Sequence, residues 1–497
     1  MKPGATAHPP RASCMIRFIA SFLLIPSWAC LGMFQDPVST ASTEYSEVDS
    51  RPDVLYLIVD DLGWHDVGFT GGRSHLTPHI DALASQSTVF ENAYSDAPNC
   101  APTRASILSG QATARHGVLT VGSSRRGNKA LRRIEPVPNQ RFLDQDLPTL
   151  ADDLQANGYR TVHVGKFHVG PDPLDYGFTD QVGGTALGHP KSYFSPYRNR
   201  HLSDGPKGEY LTDRLVEEAT GFIKSQDRRP LFLHLSFYSV HTPIQPRSDL
   251  LASAKARLPN HRVQAQKYDA MVSAVDASVG RILEAFSTRA RPLMIVFTSD
   301  NGGYGPLADN GPLRGSKGTM YEGGIRVPLA VRWPGSGRVE RSDTPVLLRD
   351  LVPTILETTG SVQPDRIRDG RSLCGVRSGN ELDAVPLHWH FPVYLERDSS
   401  VVGPWRSTPV AACRIGRFKL IEFFESGNLE LYDLSSDPSE QFNLVEEFPD
   451  LAKKMHAEMV QWRVEMGALL PTPLPDVPSS VETTPAPDPT SKPEQSP

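Results

Sequence analysis

Five short apolar runs constrain the fold of this chain more than any other feature. They lie at residues 54–59, 161–164, 231–237, 293–298 and 327–333. Few polar residues interrupt them, which is the pattern of strands buried on both faces of a largely parallel sheet. Helical patterns lie between the runs. Alternation of strands and helices predicts an α/β sandwich.

The clearest helical pattern lies between the third and fourth apolar runs. Its apolar residues recur every three or four positions, at Tyr268, Met271, Val272, Val275, Val279, Ile282, Leu283 and Phe286. Such a stripe predicts a helix with one buried face. We therefore expect core packing here and not a cofactor site.

Changes in composition divide the chain. We expect a leader at 1–34, a flexible lead-in at 35–50, a main domain at 51–385, a smaller C-terminal α+β subdomain at 386–470 and a disordered tail at 471–497. The subdomain is indicated by short strand-like runs, such as 418–423, and by a final helical pattern at 450–462. The tail is rich in proline and has no aromatic residue, a composition typical of disorder.

The first residues are typical of an export signal. Arg17 precedes an apolar run at 18–25, and a zone suited to cleavage follows at 28–32. The run is too short for a membrane span. We expect a periplasmic or secreted protein without a stable membrane span. Translation from Met15 and a lipid anchor at Cys30 are alternatives.

Charge and cysteine content exclude some classes of protein. The chain has 497 residues and a formal net charge of −6, so it has no general attraction for nucleic acid or anionic lipid. An anionic substrate must be held by local basic groups and metal. Five cysteines in a chain of this length do not form a disulfide scaffold. Cys374 and Cys413 either pair after export or stay free thiols.

Cys100 begins the run Cys-Ala-Pro-Thr-Arg, which continues into helix-like sequence at 105–110. Pro102 suits the first turn of a helix. A helix N-terminus offers unpaired N–H groups and a partial positive charge to an anion. Arg104 lies one turn after Cys100, so we expect both to face one pocket. The pattern indicates chemistry on an anionic ester.

Carboxylate and amide side chains follow two of the apolar runs. Asp60 and Asp61 end the first run, and Asp300 and Asn301 end the fourth. Ligand sites gather at strand ends of α/β sheets, and these hard oxygen donors suit Ca²⁺ or Mg²⁺. Either pair alone is more often a turn or a helix cap. Together with Cys100, they predict a metal site.

These residues belong to a longer series of motifs. In order, the series is DVLYLIVDDLGW at 53–64, CAPTR at 100–104, GYRTVHVGKFH at 158–168, VHTP at 240–243, TSDNGG at 298–303, RGSKGTMYEGG at 314–324 and ELYDL at 430–434. The chain resembles the type I, formylglycine-dependent sulfatases, which are arylsulfatase-like members of the alkaline phosphatase superfamily. The resemblance covers roughly residues 51–444. It implies a sandwich around a large mixed, mostly parallel sheet with a smaller C-terminal α+β subdomain.

The resemblance also implies an activity, namely hydrolysis of sulfate esters, and we expect a sulfated carbohydrate as substrate. It implies that a formylglycine-generating or equivalent enzyme oxidises Cys100 to formylglycine, hydrated to a diol. One hydroxyl attacks sulfur and displaces the alcohol; the other loses its proton, expels sulfate and regenerates the aldehyde. One Ca²⁺ per chain is implied, with the ligands Asp60, Asp61, Cys100, Asp300 and Asn301.

The basic residues of the motifs take roles by the same resemblance. Arg104 holds the diol and braces the metal ligands. Lys166 binds the sulfate and the nucleophile, and His168 helps remove the diol proton. Lys166 and His168 lie two apart at a strand end, so they point to the same side if the strand continues through them. His241 and Lys317 bind the ester oxygens, and either is suited to protonate the departing alkoxide.

The chain departs from the common motifs at two positions. Thr103 replaces the more frequent Ser and keeps a hydroxyl, while Phe167 stands where Trp is usual, which concerns packing. Substrate specificity is expected on loops. The candidates are His116, Arg125, Arg126, Arg132, Arg133, the loop 183–200, and the run His388, Trp389 and His390. The basic group suits a polyanionic glycan or a solvated loop, and the aromatic run suits a sugar or an ordinary turn.

Two other functions fit the sequence. A phosphoester or phosphonate monoester hydrolase of the same superfamily would bind a similar tetrahedral anion. A catalytically inactive relative would bind sulfated glycan without turnover, although no expected catalytic position has been lost.

Overall fold

The computed structural model describes residues 50–335, 340–362, 366–380 and 382–474. The predicted leader, nearly all of the lead-in and most of the predicted tail lie outside these residues. In the described part of the chain, no helix combines the length and the apolar character needed to cross a bilayer.

The described residues form short strands and helices throughout. The strands are β1 (Asp53–Val59), β2 (Thr88–Phe90), β3 (Ala93–Tyr94), β4 (Ile134–Glu135), β5 (Arg160–Gly165), β6 (Asp180–Val182), β7 (Leu231–Ser236), β8 (Leu293–Ser299), β9 (Leu329–Arg332), β10 (Glu340–Ser342), β11 (Val346–Leu347), β12 (Leu387–Phe391), β13 (Leu395–Glu396), β14 (Trp405–Ser407), β15 (Val410–Ile415), β16 (Phe418–Phe423), β17 (Leu429–Asp433) and β18 (Thr472–Pro473). The helices are α1 (Pro78–Ala84), α2 (Cys100–Ser109), α3 (Thr113–His116), α4 (Leu150–Ala156), α5 (Leu211–Ile223), α6 (Ser248–Arg257), α7 (Val263–Phe286), α8 (Glu322–Ile325), α9 (Leu351–Thr358), α10 (Cys374–Arg377) and α11 (Pro449–Met466).

The main sheet has eight strands in the order β10-β2-β9-β8-β1-β7-β5-β6. Neighbours from β8 to β6 pair in parallel, whereas β9 pairs antiparallel with both β8 and β2. All seven residues of β1 are buried, as expected for a strand covered on both faces. The prediction of a large mixed, mostly parallel sheet is confirmed. The five apolar runs correspond to β1, β5, β7, β8 and β9.

Helices cover both faces of the sheet, because successive strand residues point to opposite sides. On β1, Leu55 and Leu57 pack in one core cluster with residues of α5 and α7. Val54 and Tyr56 pack in a second cluster with residues of α2, α4 and α9. The stripe predicted on α7 lies in the first cluster. The main part of the chain is therefore an α/β sandwich.

A smaller antiparallel sheet, β12-β15-β16-β17, lies toward the C-terminus. On one face, Trp389 and Ile421 pack in a cluster with Tyr94 of the main part. On the other face, residues of β15 and β16 pack against Met455 and Met459 of α11. This sheet and helix agree with the predicted α+β character of the C-terminal region.

Two details concern the termini and the cysteines. β18, at the start of the segment predicted to be a disordered tail, pairs antiparallel with β4, so that segment begins with an ordered strand.

Cys374 and Cys413 are free thiols. The Cys374 Sγ lies 3.3 Å from Thr358 Oγ1, and the Cys413 Sγ lies 3.7 Å from Met455 O.

Candidate active site

The carboxyl ends of four adjacent parallel strands, β8, β1, β7 and β5, meet at one edge of the main sheet. Each is followed by predicted site residues: 300–301 after β8, 60–61 after β1, 241 after β7, and 166 and 168 after β5. The N-terminus of α2 brings Cys100 to the same edge. Ligand atoms of Asp60, Cys100 and Asp300 all lie within 4.8 Å of one another.

Cys100 is the first residue of α2 and is only 2% exposed. Burial raises the pKa of its thiol. The turn before it is held by Thr103, whose hydroxyl donates to Ala97 O at 3.0 Å and accepts from Ala97 N at 3.2 Å. The hydroxyl of Thr103 therefore has a structural task, which Ser would also be able to perform.

Three cations face the acidic group, of which Arg104 and Lys166 are buried. Arg104 Nε donates to Asp300 Oδ2 at 2.7 Å. Lys166 Nζ lies 2.6 Å from Asp60 Oδ2, and both side chains are fully buried. On the opposite side, Lys317 Nζ lies 2.6 Å from Asp61 Oδ1. Each carboxylate thus has at least one basic partner, as buried charges require.

These pairings shift the pKa values of the carboxyl groups. Burial would raise the pKa of Asp61, but Lys317 and His241 hold it below the usual range. Burial would likewise raise the pKa of Asp300, and Arg104 lowers it. Asp60 differs, because burial raises its pKa in spite of Lys166. The site therefore holds at least two strongly stabilised carboxylates.

Two imidazoles complete the group. His241 Nε2 lies 3.6 Å from Asp61 Oδ2, and burial together with Lys317 lowers the pKa of His241 to about 3. His168 is 7% exposed, and burial lowers its pKa well below the usual value. Both rings are therefore neutral near pH 7 in this setting.

The strand does not continue through Lys166 and His168, so the condition for the two side chains to share one side of it is not met. The strand β5 ends at Gly165, so the two residues do not alternate along a strand. His168 instead has a φ of 61°, and its ring packs so closely on Gly188 that a Cβ there would lie 2.4 Å from His168 Cε1. A turn, not a strand, presents His168 to the pocket.

The donor set fits a hard divalent cation. Asp60 Oδ1 and Asn301 Oδ1 are buried, and neither accepts a hydrogen bond from any residue that the structure describes. Asn301 Nδ2 donates to Asp61 Oδ1 at 2.9 Å, which leaves its oxygen free to act as a ligand. Buried, unpartnered oxygen atoms beside Asp300 are the environment that Ca²⁺ or Mg²⁺ prefers. Carboxylate oxygens of Asp60 and Asp300 lie within 4.8 Å of each other, close enough for both to bind such an ion.

A cavity of about 530 Å³ opens above Cys100. Its deeper wall includes Asp61, His168, His241 and Lys317, whereas Arg104 and Lys166 lie beneath it and do not line it. This volume lies within the ~300–1,000 Å³ range of small-molecule sites. The cavity can hold a substrate larger than the reacting anion alone.

The predicted specificity candidates divide into two groups. Arg126 and residues 186–189 of the loop 183–200 line the cavity. His116, Arg125, Arg132 and Arg133 do not, among the described residues. His116 is buried, with its Nε2 3.0 Å from Ser106 Oγ.

Neither alternative for the run His388, Trp389 and His390, a sugar-binding loop or an ordinary turn, agrees with the structure. All three side chains are buried in the strand β12. The Trp389 indole donates to Ser95 O at 2.8 Å, and His388 stacks on Trp462 of α11. The run belongs to the packing between the small sheet and its neighbours.

Several residues of the cavity wall were missed by sequence reasoning. They are Asn99, Arg141, Phe142, Tyr304, Glu396, Arg397, Asp398 and Arg406. The last four lie on or near the pair β13–β14, and no motif connects that region with Cys100. In the sequence, the only indication of a site in that region is its arginine content, and clusters of arginine also occur on many solvated surfaces.

Comparison with known proteins agrees with this geometry. A family model described as Sulfatase matches residues 52–361, and one described as N-sulphoglucosamine sulphohydrolase, C-terminal, matches residues 316–465. A protein from Formosa agariphila named Sulfatase is 32% identical over 88% of this chain and 93% of its own. N-acetylgalactosamine-6-sulfatase from Canis lupus familiaris is 31% identical over 71% of each chain.

A solved structure of Ps i-CgsB in complex with k-i-k-neocarrahexaose superposes with a TM-score of 0.69. It is 26% identical and covers 83% of this chain and 93% of that one. The match of the family model to most of the chain, together with these relatives, shows that the chain belongs to the sulfatase family of the alkaline phosphatase superfamily and is a sulfuric ester hydrolase.

Proposed function

We propose that this protein is an exported sulfatase that removes sulfate from a carbohydrate, using formylglycine at position 100 and one Ca²⁺. The observation that carries the proposal is the position of Cys100. Its Sγ lies within 4.8 Å of ligand oxygens of Asp60 and Asp300, and Cys100 lines the cavity that Lys317, His241 and His168 also line.

Formylglycine would supply a hydrated aldehyde, whose hydroxyl groups are nucleophilic toward sulfur. The residues of this chain would bind and orient the ester around it. Lys317 and His241 lie on the cavity wall, where the Lys317 ammonium can donate hydrogen bonds to ester oxygens. Lys166, below the wall, holds Asp60 in place. Lys317, whose pKa is raised by the nearby Asp61, keeps its proton near pH 7 and can protonate the departing alkoxide, whereas His241 could do so only as an imidazolium.

Ca²⁺ would neutralise part of the charge of the bound ester. Asp60, Asp61, Asp300, Asn301 and the modified residue at position 100 would hold it. Arg104 supports this set from below, because its guanidinium donates to Asp300 Oδ2, to Lys166 O and to Ser236 Oγ. Its task is therefore to fix the acidic side chains.

The size and lining of the cavity support a carbohydrate substrate. Phe142 and Tyr304 lie in its wall, and aromatic faces suit the apolar faces of sugar rings. Two relatives point the same way by name: one is N-acetylgalactosamine-6-sulfatase, and one was crystallised with a neocarrahexaose. Export agrees with such a substrate, and the net charge of −6 agrees with the absence of a nucleic-acid partner.

The first experiment is the mass of the peptide that carries Cys100, from protein made in a host with a formylglycine-generating enzyme. Formylglycine is lighter than cysteine by about 18 Da, because the thiol becomes an aldehyde. The same preparation is then assayed with 4-nitrophenyl sulfate, 4-nitrophenyl phosphate, a phenylphosphonate monoester and a panel of sulfated sugars. We expect the aldehyde and release of sulfate that depends on Ca²⁺.

The variant Cys100→Ala should release no sulfate and should keep its circular dichroism spectrum, whereas Cys374→Ala, at a thiol that does not line the cavity, should stay active. Undiminished sulfate release by Cys100→Ala contradicts the proposed nucleophile. Faster hydrolysis of the phosphorus esters favours the superfamily alternative. Tight binding of sulfated sugar by wild-type protein without any turnover favours an inactive glycan-binding relative.

A further inference from the structure

The outer part of the active-site cavity carries more positive charge than the reacting sulfate requires. Four arginines line it: Arg126, Arg141, Arg397 and Arg406. None of them contacts Asp60, Asp61 or Asp300. The arginines therefore form a second group of cations, separate from those around Cys100.

Two of the four arginines are neutralised by carboxylates of the same wall. Arg126 forms an ion pair with Glu396. Arg406 Nη1 donates to Asp398 Oδ2 at 3.0 Å, and both side chains of this pair are largely buried. Glu396 and Asp398 are the acidic residues of the outer wall. Both are thus engaged by these two pairs.

Arg141 and Arg397 are the two arginines of the cavity lining that these carboxylates do not neutralise. Both are exposed, and no carboxylate of the described residues lies within ion-pair distance of either guanidinium. Arg141 packs over the ring of Phe142, with its Cζ 4.9 Å from the ring centroid. This contact fixes the planar group and leaves its N–H donors free. Two guanidinium groups without a carboxylate partner among the described residues thus line the substrate cavity.

An unpaired cation at the surface is common, but its position inside the cavity changes its effect. A bound sugar would exclude water from the cavity, so a charge left without a partner there would be desolvated and unfavourable. An anionic group on the sugar would remove this penalty and would form charge-assisted hydrogen bonds. Guanidinium is the side-chain group best suited to bind a carboxylate or a sulfate through two parallel hydrogen bonds.

We propose that Arg141 and Arg397 form a subsite for a second anionic group of the substrate, distinct from the sulfate that is removed. The substrate is then a glycan that carries at least two anions, the second being a sulfate or a uronic-acid carboxylate on the same or the adjoining sugar. This inference rests on the proposed sulfatase function, and it adds the class of glycan and the residues that select it.

The test compares formylglycine-bearing wild-type protein with Arg141→Gln, Arg397→Gln and the double variant. Arg133→Gln is the matched control, because Arg133 is also an exposed arginine but lies outside the cavity lining. The substrates are 4-nitrophenyl sulfate and three sulfated disaccharides that share the scissile sulfate. Their adjoining sugar is neutral, carboxylated or sulfated.

We expect wild-type protein to have a kcat/KM at least about tenfold higher for one of the doubly anionic disaccharides than for the neutral one, as for charge-assisted hydrogen bonds. Arg141→Gln and Arg397→Gln should each lower that value about tenfold, mainly through KM, and should leave 4-nitrophenyl sulfate unaffected. The doubly anionic disaccharide with the higher kcat/KM, carboxylated or sulfated, identifies the second anion. Arg133→Gln should match wild type.

Equal kcat/KM on all three disaccharides overturns the subsite, as does an equal loss on every substrate in the variants. Absence of turnover on all four substrates contradicts the sulfatase proposal and does not bear on the subsite. For that case, calorimetry on Cys100→Ala protein measures binding of the same disaccharides. Tighter binding of a doubly anionic one that is lost in Arg141→Gln supports the subsite, and indistinguishable binding overturns it.

Discussion

His75 Nδ1 lies 2.8 Å from Asp269 Oδ1, at a buried contact between the loop before α1 and the helix α7. The other ring nitrogen, Nε2, lies 3.1 Å from Asp66 Oδ1. Burial alone would lower the pKa of His75, but the hydrogen bonds to Asp269 and Asp66 raise it to about 9. At neutral pH, an imidazolium therefore connects two carboxylates in the interior.

This pairing predicts a pH dependence of stability. Because the pKa of His75 is raised in the folded state, its contribution is fully present below about pH 6.5 and is lost as pH rises through about 9. We expect the difference in free energy of unfolding between wild type and His75→Gln to fall by about 3 kcal/mol over that range. Urea unfolding at several pH values measures it. Parallel curves for wild type and His75→Gln would contradict the prediction.

A second buried network joins the small sheet to the main part of the chain. Lys419 Nζ lies 3.0 Å from Glu322 Oε1 and 2.9 Å from Glu440 Oε1, and all three side chains are fully buried. Lys419→Met would leave two buried carboxylates without this cation. We expect a loss of about 3–5 kcal/mol in the free energy of unfolding, measured with urea. Lys453→Met, on the exposed side of α11, should change it by less than about 0.5 kcal/mol. A similar small change in Lys419→Met would show that the network does not need the cation.

Because Arg104 holds Asp300 in place, we expect its replacement to lower both the stability and the activity of the protein. Arg104→Gln removes a buried cation, which should cost about 3 kcal/mol of unfolding free energy and lower the rate of sulfate release by about two orders of magnitude through misplaced carboxylates. Arg229→Gln, in an exposed pair with Asp227, is the control and should cost less than about 1 kcal/mol. Sulfate release within a few-fold of wild type would mean that the acidic side chains are held without Arg104.

Removal of the proposed metal ion should affect both folding and activity. Asp60, Asp300 and Asn301 place oxygen atoms together in the interior, and without a cation their mutual repulsion destabilises the folded state. We expect a chelator to abolish sulfate release and to lower the melting temperature. Added Ca²⁺ should restore both, with a stabilisation of about 2.7 kcal/mol at one hundred times the dissociation constant. An identical melting temperature with and without chelator would argue against a bound ion.

The residues around Cys100 were predictable from sequence because local rules place them. Asp60 and Asp300 each follow a continuous apolar run, and parallel strands bring their carboxyl ends to one edge. The family resemblance added Lys166, His168, His241 and Lys317, which local rules alone do not select. In the structure, all of these residues lie at that edge.

The outer wall was not predictable, because long-range packing decides it. Arg397 and Arg406 reach the cavity only because the β13–β14 pair lies beside residues far away in sequence, such as Arg126. Trp389 looks like a loop aromatic in the sequence, and it is buried because Tyr94 and the rest of its cluster cover it. Neither the position of the β13–β14 pair nor the packing of Trp389 on Tyr94 is indicated by the residues next to it in the sequence.

The burial of Cys100 has a consequence for the order of events during biosynthesis. Its side chain lies at the start of a fully buried helix, below residues that follow β8, a strand made about two hundred residues later. A modifying enzyme needs an accessible, extended segment. The oxidation proposed for Cys100 would therefore have to precede completion of the sheet, and chain that folds first would keep the thiol.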